Sequence, residues 1–162
     1  MSDARTQALD LWRSAFERHR QGDLRAAIQL YKRSIEICPT AEAHTFLGWA
    51  FAHAGRIERA IAECKRAIEV DPDFGNPYND IGAYLIELGR EEEAVRWLER
   101  AKTARRYEPR HYPYFNLARV YVRQHKIYEA IRELRGALRV EPRYEIARKE
   151  LIRLELLVRV LN

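Results

Sequence analysis

Residue types that commonly perform catalysis are present, but their spacing matches no catalytic or metal-binding pattern. Ser14 and Ser34 lack the strand–turn–helix context of a nucleophile elbow. The glycines are spaced as turns between helices rather than as a phosphate-binding loop. No HExxH pair or other metal-ligand spacing is formed by the histidines, which are His19, His44, His53, His111 and His125. The sequence therefore predicts a protein that is not an enzyme, with no metal and no cofactor.

The two cysteines and the apolar content predict the compartment. Cys38 and Cys64 match neither a disulfide framework nor a CxxC pair, which favours a reducing environment. The first residues, MSDARTQALDLW, contain no apolar region typical of a secretory signal. No run approaches the roughly 18 apolar residues that cross a bilayer. We therefore expect a cytoplasmic protein that is not inserted into a membrane.

Aromatic and cationic side chains have spacings that suit binding chemistry. Arg119 and Arg123 lie one helical turn apart and could receive a carboxylate or a phosphate through bidentate contacts. The alternative is that Glu87, Glu129 or solvent neutralises these two arginines. Three aromatic pairs have the spacing of neighbours on one helix face. They are Trp12 with Phe16, Phe46 with Trp49, and Tyr112 with Phe115.

A helical unit that recurs along the chain must position these side chains. Equivalent residues recur after 33 or 34 positions, namely Pro39 and Pro72, Ala27, Ala60 and Ala94, Gly48 and Gly82, and Gly55 and Gly89. A recurrence of this length indicates one helix–turn–helix unit copied along the chain. His125 occupies the turn position of Gly55 and Gly89, where a left-handed backbone is allowed but less favourable for a residue with a side chain.

The pattern divides the chain into four units and a final helix, all within one domain over residues 1–162. The predicted units are 8–40, 41–74, 75–110 and 111–144, and the last helix is 145–161. Because Pro77 and Pro113 are 36 residues apart, two extra residues lengthen the junction before the fourth unit, which could tilt this unit. We expect an all-α protein with about nine helices.

The second unit, AEAHTFLGWAFAHAGRIERAIAECKRAIEVDPDF, resembles a tetratricopeptide repeat. Its matching positions are Leu47, Gly48, Phe51, Gly55, Ala60, Ala67 and Pro72. The resemblance covers about residues 8–144. It implies a right-handed superhelical solenoid of four repeats with a C-terminal capping helix. It also implies a scaffold for protein–protein interaction, in which the first helix of each repeat lines a concave groove for a peptide or helix of a partner.

Helical spacing on the first helices then predicts the residues that line this groove. They are Trp12, Phe16, Phe46, Trp49, His53, Asn76, Asn79, Asp80, Tyr112, Phe115, Asn116, Arg119 and Arg123. Aromatic side chains are suitable anchors for a partner, and the Asn and Asp side chains of the third unit could bond an extended peptide backbone. In the alternative interpretation Trp12, Phe46 and Tyr112 pack between neighbouring first helices. We expect Trp49 and Phe115 to be exposed.

Some members of this family bind the terminal carboxylate of heat-shock chaperones through a clamp of Lys, Asn and Arg. Over the first three units the matching positions hold Trp12, Phe16, Phe46, Asn76 and Asp80. Over the last three units they hold Thr45, Trp49, Asp80, Tyr112 and Asn116. Neither set supplies the positive charges that a carboxylate needs, so we do not expect this clamp.

The net charge of +5 is unevenly distributed. Residues 1–99 hold 13 Lys and Arg against 17 Asp and Glu, whereas residues 100–162 hold 16 against 7. The basic half allows an alternative function, the binding of nucleic acid or another anionic partner. A solvated helical surface also accounts for this charge and is the default for charged helix faces. A further alternative is formation of a homo-oligomer through Leu156, Leu157 and Val160 of the last helix.

Overall fold

Nine α-helices follow one another in the computed structural model, which describes residues 3–161. They are α1 (Asp3–Arg20), α2 (Leu24–Ile37), α3 (Ala41–His53), α4 (Ile57–Val70), α5 (Asn76–Glu87), α6 (Glu91–Thr103), α7 (His111–Arg123), α8 (Ile127–Val140) and α9 (Glu145–Leu161). The predicted all-α architecture is confirmed. Residues 1, 2 and 162 of the predicted domain lie outside the described part.

The helices pack as consecutive pairs that stack in one direction. The helices α1 and α2, α3 and α4, α5 and α6, and α7 and α8 form the pairs, and each pair contacts the next. The first helices α1, α3, α5 and α7 also contact one another along the stack, whereas the second helices make no comparable contact over residues 3–161. Because the first helices approach more closely, their side is the inside of the curve, and we call it the groove.

Small residues allow the two helices of each pair to approach closely. Four alanines on the second helices are completely buried, and they are Ala27, Ala60, Ala94 and Ala130. On α5, a Cβ atom added to Gly82 would lie 2.5 Å from the Leu98 side chain of α6. The larger side chains pack around these contacts in one cluster that runs from α1 to α7, and a second cluster joins α7, α8 and α9.

The last helix covers the end of the stack with one face. Ala147 and Leu154 of α9 are fully buried against the fourth pair. The opposite face exposes Ile152, Leu156 and Val160, which is more apolar surface than a cap requires. No helix among residues 3–161 is both long enough and apolar enough to span a membrane.

The lengthened junction before α7 folds back on the preceding junction. The backbone N–H of Arg106 donates to the carbonyl of Asp73 (2.9 Å), and the N–H of Gly75 donates to the carbonyl of Arg106 (3.0 Å). The Arg106 guanidinium donates to Asp71 and Glu42 at 2.6 and 2.7 Å. The inserted residues thus fasten the third repeat to the second. The predicted tilt of the fourth repeat stays a prediction.

The turns within the repeats require a left-handed backbone. Gly22, Gly55 and Gly89 have φ values of 81°, 75° and 72°, and His125 has a φ of 58° at the corresponding place. The expectation for His125 is confirmed. A residue with a Cβ atom costs about 1 kcal/mol more than glycine in this conformation.

We therefore predict that His125→Gly stabilises the protein. The free energy of unfolding should rise by about 0.5 kcal/mol, because the strain removed exceeds the added entropy of the unfolded chain. Urea unfolding monitored by circular dichroism measures this change. The matched control is Gly55→Ala, which places a Cβ atom at the same φ and should be destabilising. An unchanged or lower stability of His125→Gly would contradict the prediction.

Candidate functional site

Four aromatic rings from α1 and α3 form a continuous cluster at one end of the groove. Trp12 stacks on Phe16 with a centroid distance of 5.6 Å, and Phe46 meets the Trp12 ring edge-on at 5.0 Å. Trp49 lies 5.0 Å from Phe46. Trp12, Phe16 and Phe46 are half-buried, whereas Trp49 is 37% exposed. The rings therefore pack between the first helices and still present surface to the groove. We call these four residues the aromatic cluster.

His53 extends this end of the groove through contact with α1. Its Nδ1 lies 2.6 Å from Nε2 of His19, so one ring donates a hydrogen bond to the other. The pKa of His19 is lowered, first by burial and then by repulsion from His53. The His19 imidazole therefore favours its neutral form.

Asp80 fixes the exposed ring of Trp49. The indole Nε1 of Trp49 donates a hydrogen bond of 2.8 Å to Oδ2 of Asp80, which joins α3 to α5. Burial raises the pKa of the Asp80 carboxyl to about 7, although hydrogen bonds from Trp49 and Asn79 favour its charged form. The groove therefore holds a carboxyl group that changes charge near physiological pH.

Amide side chains continue the polar contacts from α5 to α7. Nδ2 of Asn116 donates to Oδ1 of Asn79 (3.0 Å), and Nη1 of Arg119 donates to Oδ1 of Asn116 (3.1 Å). Asn79 and Asn116 are buried. They bond each other across the two helices, so we expect them to support the groove surface from beneath. Asn76 is half-buried in the first turn of α5.

A smaller group of aromatic rings lies at the other end of the groove. Phe115 is less exposed than the sequence predicts, because its ring is half-buried and meets the Tyr144 ring edge-on at 5.4 Å. Tyr112 is exposed and lies between His111 at 4.2 Å and Tyr144 at 6.0 Å. Tyr112 therefore packs toward the segment before α9 rather than against another first helix.

The two predicted arginines have different surroundings. Arg123 is paired with Glu91 at 2.9 Å and donates to the carbonyl of Ile86. Arg119 contacts the neutral amide of Asn116, and no described carboxylate lies within ion-pair distance of it. The neutralisation by Glu87 or Glu129 that the sequence allowed does not occur.

Helix α9 also contributes to this surface, which was not predicted from the sequence. A cleft of about 470 Å³ lies between α7 and α9, next to Phe115 and Arg119. Lys149 and Arg153 of α9 line it together with Ile146. The sequence does contain a signal for this basic surface, because Lys149 and Arg153 are one helical turn apart, like Arg119 and Arg123. We call this space the α7–α9 cleft.

Comparison with known protein families covers more than half of the chain. Residues 17–77 match one family model described as tetratricopeptide repeat, and residues 78–106 match a second with the same description. The chain belongs to the tetratricopeptide repeat (TPR) family. The helices of residues 3–161 thus form a TPR superhelix, and TPR proteins are generally scaffolds for protein interaction.

The curated relatives share only part of their length with this TPR chain. It is 36% identical over 74 residues to the small glutamine-rich tetratricopeptide repeat-containing protein 2 of Mycosarcoma maydis, covering 45% of this chain and 21% of the relative. It is 29% identical over 134 residues to sperm-associated antigen 1 of Mus musculus, covering 83% of this chain and 11% of the relative.

Solved TPR structures match almost the whole chain. The pilF protein of Pseudomonas aeruginosa has a TM-score of 0.87 and 25% identity, with 96% of this chain and 71% of that chain covered. YrrB, described as a TPR protein with an unusual peptide-binding site, has a TM-score of 0.72 and 14% identity, with coverage of 91% and 75%. At 14% identity the likeness to YrrB shows the fold alone.

We predict that Asp80→Asn stabilises the protein more at pH 8 than at pH 5. Because the pKa of Asp80 is about 7 in the folded state and about 4 in the unfolded state, stability is lost as pH rises through this window. Asparagine keeps an oxygen acceptor for Trp49 and removes the titration. The stabilisation should be greater at pH 8 by about 2 kcal/mol.

Urea unfolding of the wild type and the variant at both pH values measures this difference. The subtraction cancels the titration of the histidines, which both proteins share. A difference between the two proteins that is the same at pH 5 and pH 8 would contradict the raised pKa of Asp80.

Proposed function

We propose that this TPR domain binds a peptide or helix of a protein partner in its groove, as a scaffold that performs no catalysis. The observation that carries the proposal is the aromatic cluster, Trp12, Phe16, Phe46 and Trp49, which presents a half-open apolar surface on the inner helices. Large aromatic surfaces at the centre of an interface supply much of its binding energy.

The cluster is organised before any partner arrives. Trp49 is held by ring contact with Phe46 and by its hydrogen bond to Asp80, so its side chain loses little freedom on binding. Preorganisation of this kind raises affinity because association then costs less conformational entropy. Of the predicted polar groove residues, His53, Asn76, Arg119 and Arg123 are at least partly exposed and remain candidates for direct contact.

The setting that we propose is that of an adaptor in the cytoplasm. Cys38 and Cys64 are both free thiols, as a reducing compartment would leave them. Cys64 is completely buried, and burial raises the pKa of its thiol. An unreactive buried thiol is a packing residue rather than a redox centre.

The outer face of α9 favours a second candidate function, self-assembly. Ile152, Leu156 and Val160 are four residues apart and form one exposed stripe, with Val160 83% exposed. Leu157 lies beside this stripe and is also exposed. Light scattering of the wild type and of Leu156→Lys tests this candidate. A wild type that is monomeric at high concentration would remove it.

The groove proposal predicts that Trp49→Ala combined with Phe115→Ala releases the partner. Both rings present surface to the groove, so their loss should weaken binding at least tenfold while the helical circular dichroism is retained. The measurement is a pull-down from nuclease-treated cell extract with wild type and variant as bait. The matched control is Tyr128→Ala, which removes a ring that is 67% exposed on the second helix α8.

A protein band that the wild type and Tyr128→Ala retain, and that the double variant loses, would support the groove. Bands that persist with all three baits would move the site to another surface and contradict the proposal. A parallel pull-down from untreated extract that captures nucleic acid and no protein, with the nucleic acid released by raised salt, would favour the alternative that the basic half binds an anionic partner.

A further inference from the structure

The α7–α9 cleft combines an apolar floor with a cationic rim. Its apolar surface is formed by Phe115, Ala118, Val122 and Ile146. Ile146 is 60% exposed, so its side chain is accessible to a partner. Four cations surround this surface, and they are Arg119, Arg123, Lys149 and Arg153. One carboxylate, that of Glu150, lies among them.

Two of the four cations lack a carboxylate partner. Arg123 is paired with Glu91, and Arg153 is paired with Glu150. Arg119 bonds only the neutral amide of Asn116, and Lys149 forms no ion pair with any residue in the described part of the chain. The cleft therefore has an excess of positive charge next to exposed apolar surface.

Glu150 illustrates how this cleft receives a carboxylate. Arg153 donates to both of its oxygens, at 2.6 and 2.9 Å, and this holds the pKa of the Glu150 carboxyl below its usual value. Paired contacts from a planar guanidinium fix a carboxylate in one orientation. Arg119 presents a guanidinium group on the α7 side of the cleft, and no described carboxylate is paired with it.

These surroundings suit a peptide better than a nucleic acid. Single-stranded nucleic acids are held by exposed aromatic rings on which bases stack, whereas the Phe115 ring is half-buried and covered at its edge by Tyr144. Nucleic-acid binding also favours many phosphate contacts, and only two cations here are uncommitted. An apolar floor with two free cations instead matches an aliphatic side chain flanked by carboxylates.

We propose that the α7–α9 cleft binds an acidic, carboxylate-rich segment of the partner, with an aliphatic side chain on Ile146 and Val122 and carboxylates on Arg119 and Lys149. The proposal rests on the proposed function, because this cleft forms the basic end of the same groove. It gives the partner a direction, with apolar residues at the aromatic cluster and acidic residues at α9.

The test measures binding of a fluorescent synthetic peptide made of Glu-Glu-Leu units, by fluorescence anisotropy at about 0.1 M salt. The variants are Arg119→Gln combined with Lys149→Gln, and the matched control is Arg139→Gln combined with Arg159→Gln. Arg139 and Arg159 are exposed arginines that line a separate cleft between α8 and α9. The control therefore changes the net charge by the same amount as the Arg119 and Lys149 variant. Circular dichroism verifies that every variant is folded.

We expect the peptide to bind the wild type and to lose affinity about tenfold in the Arg119 and Lys149 variant, with less than a twofold change in the control. Glu150→Gln removes the resident carboxylate and should tighten binding about threefold, because it frees Arg153. A Gln-Gln-Leu peptide should bind at least tenfold more weakly.

The proposal is overturned if the wild type does not bind the acidic peptide, if both double variants lose affinity equally, or if an oligothymidylate probe binds more tightly than the peptide. These results remain separate from the groove test. If Trp49→Ala with Phe115→Ala loses its partner while the acidic peptide fails to bind, the groove function stands and the acidic cleft does not. If the acidic peptide binds as expected and the partner band persists with the double variant, the acidic cleft stands and binding through Trp49 and Phe115 does not.

Discussion

The architecture depends on the close approach of the two helices in each pair, which is possible only where the contact positions carry glycine or alanine. Ala60 and Ala94 are completely buried on second helices, and Gly82 leaves no room for a Cβ atom against Leu98. Because these contact positions carry no large residue, the larger side chains must pack between successive pairs. Packing between neighbours transmits order along the stack and makes every repeat depend on the next. The same arrangement leaves the inner faces of the first helices free to form a groove.

Much of the fold follows from sequence periodicity, because each repeat imposes the same local requirements. The turn at His125 was predicted from its alignment with Gly55 and Gly89, and its φ of 58° agrees. The pairing of Trp49 with Asp80 was not predicted. Helical spacing places both residues on inner faces, but which side chains meet across α3 and α5 depends on the rotation between repeats. Lys149 differs in this respect, because its spacing from Arg153 is visible in the sequence, but the pattern of a capping helix indicates only the face that it buries.

The polar contacts along the groove connect its two ends in a single series. Trp49 bonds Asp80, the neighbouring Asn79 bonds Asn116, and Asn116 accepts from Arg119. The bond between Asn79 and Asn116 satisfies polar atoms that are buried beneath the groove surface, where an unsatisfied polar atom is costly. The series therefore stabilises the inner helices and orients Trp49 and Arg119, the groups proposed to contact a partner. Trp49 and Arg119 therefore belong to the series of hydrogen bonds and are also proposed to contact the partner.

Asp80 is the residue in this series that is least favourable for the stability of the fold. Its carboxyl is partly buried without a cation, and this raises its pKa to about 7. An amide would accept the same hydrogen bond from Trp49 without the cost of burying a charge. A carboxylate has the additional property that it repels acidic segments from the aromatic end of the groove. With Arg119 and Lys149 at the opposite end, this repulsion would favour one orientation of a partner over the other. Electrostatic arrangement of this kind contributes to specificity more than to affinity, which gives a physical reason for an aspartate where stability alone favours asparagine.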